Sequence, residues 1–132
     1  MFAVAIAREA ENNDAFRTVL HTGAHTQVVV MTLQAGEDIG AEVHEHNDQV
    51  LVFVEGTARA EVAGQTRDVA AGDMVIVPAG TPHNFVNTGD GLLRLYTVYG
   101  PPDHADETVH QTKADALHAE ASGQDEPPSE PD

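Results

Sequence analysis

The chain has 132 residues, with 22 acids against 6 lysines plus arginines and a formal charge of −16. This suits one domain, and so few cations argue against nucleic acid or an anionic membrane as partners, since both need clustered positive charge. Cysteine is absent, which excludes disulfides, thiolate catalysis and Cys-ligated metals.

The run Met1 to Ala7 is apolar, but it is too short for a secretory signal and lacks the basic flank. No apolar run reaches the length of a membrane span, so the expectation is a cytoplasmic protein. From Phe16 to Tyr99 the chain reads as strands punctuated by turns. Thr26 to Leu33 is β-branched and apolar, and Gly36 with Asp38 marks a turn. Gln49 to Val54 is a second strand, ended by Glu55-Gly56. Thr57 to Val62 and Gln65 to Val69 flank a hairpin turn at Ala63-Gly64. Gly72-Asp73 precedes Met74 to Val77, and Pro78 to Pro82 forms a tight loop. His83 to Asn87 and Leu92 to Tyr99 complete the series. Short strands so bounded predict an all-β sandwich or small barrel.

Thr112 to Ala121 is rich in helix formers and predicts one short helix. From Ala119 to Asp132 the composition turns to acids and prolines, with nothing large and apolar. That predicts a disordered acidic tail, after a body spanning residues 1–118. The strand Gln49 to Val54 is apolar on both faces, so its sheet is expected to be covered twice. N-terminal strands or a second subunit would supply the outer cover, and a homodimer is the expectation.

Histidine distribution carries the chemistry. Glu42, His44 and His46 share parity, so an extended segment projects all three from one face. Imidazole and carboxylate converging from alternate positions suit a divalent ion of Fe, Mn, Ni, Cu or Zn. Gln49 follows with an amide oxygen able to ligate or hydrogen-bond. His83 sits where a strand resumes after the Pro78–Pro82 loop. Without a metal, the same segment reads as a solvated loop with scattered histidines.

The segment Gly72-x5-Pro78-x-Gly80-x2-His83-x3-Asn87 resembles the second signature motif of the cupins at every defined position. The first cupin motif is His-x-His, then Glu, then Gly. Counted back from Gly56, its Glu position falls on Gln49 and its histidine positions on Glu42 and His44. The chain departs from the pattern twice, with Glu for the first His and Gln for the Glu. His46 is a ligand if the loop is shorter than usual, and otherwise a rim residue. The resemblance covers roughly Asn12 to Ala116 and is strongest for small single-domain bacterial cupins of the mannose-6-phosphate-isomerase-like group.

The resemblance implies a double-stranded β-helix, the cupin jelly-roll barrel, holding one divalent metal ion (Fe, Mn, Zn or Ni) inside one end. Glu42, His44, His46, Gln49 and His83 are the candidate ligands. Glu42, where it does not ligate, is the candidate general base. The implied function is a metal-dependent enzyme of dioxygenase, isomerase or lyase type acting on a small oxygen-containing organic molecule. The alternative is a non-catalytic barrel that binds a metal or small ligand, or no metal. Phosphorylated substrates are disfavoured, because only five arginines precede Lys113. Arg94 and Tyr96 share a strand face that is either sheet surface or pocket rim. His104 and His110 are expected as exposed residues, with a lid over the barrel mouth as the alternative.

Overall fold

Strands form where the β-branched and apolar runs lie between turns, and the register follows from which face each run buries. The computed structural model describes residues 1–127, and the remainder of the expected tail, residues 128–132, lies outside the described residues. In chain order the elements are α1 (Ile6–Asn12), β1 (Arg17–Thr22), β2 (Gln27–Leu33), β3 (Asp48–Glu55), β4 (Thr57–Val62) and β5 (Gln65–Ala70), then β6 (Met74–Val77), β7 (His83–Asn87), β8 (Leu93–Gly100), β9 (Val109–His110) and α2 (Lys113–Ser122). A six-stranded sheet has the order β6-β3-β8-β2-β1-β9, and a three-stranded sheet the order β5-β4-β7. The paired strands are antiparallel.

The inner faces of the two sheets enclose the core. Leu51 and Phe53 on β3, Leu93 and Leu95 on β8, and Phe85 on β7 are all buried there. Phe53 and Phe85 meet across the sheets with ring centroids 5.9 Å apart. With few aromatics available, aliphatic side chains fill most of the remaining space. Gly56 holds the sharp link between β3 and β4. Its φ is +91°, and a Cβ there would lie 2.5 Å from the Leu92 carbonyl oxygen, so only glycine fits.

The outer cover of the large sheet differs from the expectation. α1, a helix packed on β2, β3 and β8, covers part of that sheet, where N-terminal strands were one of the two candidates. Ala, Arg and Glu are strong helix formers, and the stretch Ile6–Asn12 is built largely from them. Ala10 is fully buried. The turn after the helix is tied down by Asn13, whose Nδ2 donates to Thr32 Oγ1 at 3.0 Å and whose Oδ1 accepts from Thr18 Oγ1 at 2.9 Å. Arg94 joins the same anchorage, with Nη2 3.1 Å from Asp14 Oδ1 and Nε 3.3 Å from Glu55 Oε2. It serves the sheet's outer face.

α2 starts on a capping box between Thr112 and Asp115 and ends on Gly123 in the left-handed conformation. Where the sequence suggests a tail from Ala119, the helix continues to Ser122 with Ala119 buried. Past it, Asp125 docks on His104 and on the Ala105 amide. Its carboxylate finds buried donors, which a composition-based reading has no means of counting. Among the described residues, no helix is long and apolar enough to cross a membrane.

Candidate metal centre

The site is built by an irregular segment that continues the small sheet beyond β7. Ile39 N donates to Phe85 O at 3.0 Å, and Glu42 and His83 exchange both backbone hydrogen bonds, each 3.0 Å. An antiparallel pair of this kind places both side chains on one face of the sheet. That face is the inner one, since His83, Phe85 and Asn87 are all buried. Two residues on, the His44 carbonyl accepts from Gly80 N at 2.8 Å, which stitches the segment to the Pro78–Pro82 loop. Gly80 sits at φ +78°, the turn conformation that a motif glycine supplies.

One ligand atom from each of Glu42, His44 and His83 lies within 4.8 Å of the others. His83 Nδ1 is 2.9 Å from the Thr81 carbonyl. A carbonyl only accepts, so Nδ1 carries the proton and Nε2 keeps a free lone pair. His44 Nε2 is 2.9 Å from Glu42 Oε2, but it is buried and not aligned as a hydrogen bond. Two potential ligand atoms this close, and not hydrogen-bonded to each other, suit a shared cation.

Gln49 is buried, and its Nε2 donates to Thr97 Oγ1 at 3.1 Å and Tyr99 OH at 3.2 Å. Its Oε1 is left without a partner among the described residues. Orphaned buried acceptors are uncommon and expensive, so an atom of this kind invites a cation or donor. The donor set fits a divalent ion: two imidazoles, one carboxylate and a free amide oxygen. The structure does not bring His46 to this group. The chain bends at Glu45 and His46, which breaks the two-residue alternation and leaves His46 exposed. Asn87 is structural, its Nδ2 donating to the carbonyls of Leu33, Gln34 and Gly91.

His44 is also flanked on its other side. Nδ1 is 3.2 Å from Asp103 Oδ1. Burial works against the charged ring, but the carboxylates of Asp103 and Glu42 outweigh it and push His44 up to about 10. Asp103 is moved the opposite way: burial raises it, yet His44 and His104 hold it below the ordinary carboxylate value. The Tyr99 hydroxyl is pushed up by complete burial.

His104 and His110 are not exposed, contrary to the expectation; both are buried. His104 Nε2 lies 3.3 Å from Tyr99 OH and 3.4 Å from Asp103 Oδ2. The Gln27 side-chain oxygen accepts from the backbone amides of Asp103 and His104 at 3.1 and 2.9 Å, which fixes this segment against β2. Sequence reasoning passed over Asp103, Tyr99, Arg17 and Asp125 as site residues. The one local signal was a histidine inside a Pro-rich acidic stretch.

Comparison with known proteins agrees with this architecture. The family model described as Cupin domain matches residues 29–99. The uncharacterized protein YrkC of Bacillus subtilis is 45% identical over 126 residues, which is 90% of this chain and 67% of that protein. The uncharacterized protein L612 of Acanthamoeba polyphaga mimivirus is 37% identical over 109 residues, covering 79% of this chain and 68% of that one. The crystal structure of BH2720 from Bacillus halodurans superposes with a TM-score of 0.88 at 44% identity, covering 89% of this chain and 94% of that one.

Proposed function

This chain belongs to the cupin family, and from that premise we propose that it binds one divalent metal ion through Glu42, His44, His83 and Gln49. On this reading the protein is a metal-dependent enzyme acting on a small oxygen-bearing organic molecule. The convergence of Glu42, His44 and His83 at one end of the barrel carries the reading. Such an ion, when bound, supplies Lewis-acid polarisation of a substrate oxygen.

The chain's own groups set what happens around it. Thr81 O orients the His83 ring. Asp103 lies beside Nδ1 of His44, the arrangement that turns the opposite nitrogen toward a ligand. Glu42 is the group able to take a proton where it is not itself bound to the ion. Phe85, whose ring centroid lies 6.2 Å from that of His83, belongs to the apolar core beneath the site.

The test is elemental analysis of protein purified without an affinity tag, on wild type and on the double variant His44→Ala with His83→Ala. Near-stoichiometric metal in wild type and none in a folded double variant is the expected result. A wild type without metal, even after reconstitution, removes this proposal. Turnover of small hydroxy- and keto-compounds by the loaded protein then separates an enzyme from a binding barrel.

A further inference from the structure

Beside the Glu42–His44–His83 group lies a second polar cluster that the proposed function does not use. Arg17 points inward from β1 with 1% of its surface exposed. Among the described residues its Nε has no partner. Nη1 is 3.4 Å from His110 Nδ1 and 4.0 Å from Asp125 Oδ2. Asp125 comes from the segment after α2, and its side chain is 2% exposed. Each of its oxygens has its own partner: Oδ2 lies 2.7 Å from His104 Nδ1, and Oδ1 accepts from Ala105 N at 3.0 Å.

We propose that Arg17, His104 and the Ala105 amide form a binding site for the carboxylate of a small organic acid, which Asp125 occupies as an internal stand-in. Two observations favour a replaceable carboxylate over a mere structural tie. First, the cation is under-used: 4.0 Å is too long for a hydrogen bond, and a buried guanidinium with an orphaned N–H is costly. A carboxylate seated nearer to Arg17 satisfies it better than Asp125 does. Second, Asp125 lies beyond the Gly123 cap, whereas α2 itself is held by buried Ala116 and Ala119. Displacing Asp125 therefore leaves the helix in place.

The cluster adjoins the candidate metal centre. His104 Nε2 is close to both Tyr99 OH and Asp103, and these touch Gln49 and His44. The small oxygen-bearing substrate of the proposed function is then an organic acid, a clause that rests on that reading. The carboxylate site itself does not.

The experiment titrates acetate into metal-free full-length protein, so that its outcome stands apart from metal binding. Binding is read by calorimetry and by the 15N resonances of the His104 ring. Asp125→Ala removes the internal competitor, and its acetate Kd should be at least about tenfold below that of wild type. Arg17→Gln in the Asp125→Ala background should raise the Kd at least about tenfold, with acetamide failing to bind either protein. Equal acetate affinity in wild type and Asp125→Ala overturns the proposal, as does acetate binding that ignores the loss of Arg17. Should either variant fail to fold, wild type decides. A saturable shift of the His104 resonances by acetate, absent with acetamide, supports the site, and no shift overturns it.

Discussion

At the scale of single residues, Gln49 and His44 give the sharpest expectations. Gln49 stands where the family motif has a carboxylate, and its Oε1 is buried and unpartnered among the described residues. Gln49→Glu adds a buried negative charge beside Thr97 and Tyr99. The metal-free variant should melt below wild type, because an unpaired buried carboxylate is penalised. Metal affinity should rise by about tenfold or more, since the ion then meets a full charge in a low-dielectric site. Chelator competition and thermal melts read the two effects separately. His44 is held up to about 10 against an ordinary 6.5. A raised folded-state value means the protonated ring stabilises the fold in full below pH 6.5. That contribution declines above it and is lost as pH rises through about 10. In metal-free protein, the Tm of wild type should therefore fall toward that of His44→Gln across this window, and the difference should be largest on the acid side.

At the scale of elements, the strands were legible because each apolar run ends on a turn residue. Met74 to Val77 and His83 to Asn87 coincide with β6 and β7 to the residue. The expectation for α2 was likewise close. α1 was missed, since seven apolar and mixed residues carry too little periodicity to mark a helix before the sheet beneath it is known. β9 was missed for the same reason: two residues form a strand only because β1 offers an edge. The α2 cap yields a direct test. Thr112→Ala removes an N-cap hydrogen bond worth about 1 kcal/mol. Amide hydrogen exchange in α2 should speed up by about the matching five- to tenfold, with β3 and β8 amides unchanged.

At the scale of the whole molecule, the charge of −16 creates a field that draws cations, and an organic acid is held against it by the local donors around Arg17. It also bears on assembly. Met74 and Ile76 on edge strand β6 are 60% and 55% exposed. They lie in register with Val52 and Val50 of β3, so the outer face of that sheet edge is apolar. The homodimer expected from the doubly apolar strand is proposed to form through this face, since α1 gives a cover only to part of the sheet. Light scattering should return twice the mass of one chain. Met74→Lys with Ile76→Lys should return a monomer, and a monomeric wild type ends this proposal.

Local patterning was enough for the strands, their turns and the alternation that puts Glu42 and His44 on one face; that alternation put His46 there too, and His83 entered through the resemblance to the second cupin motif. Those features are local: a strand alternates every two residues, and a motif glycine or proline acts on its own turn. That His46 turns away at a bend, and that Arg17, His104, His110 and Asp125 are buried together, depends on long-range packing. Arg17 and His110 are separated by 93 positions, and Gln27 reaches the His104 backbone across 77. Charged residues beside prolines look like surface until distant segments supply their partners. The burial of a polar group depends on those partners, and no local pattern encodes them.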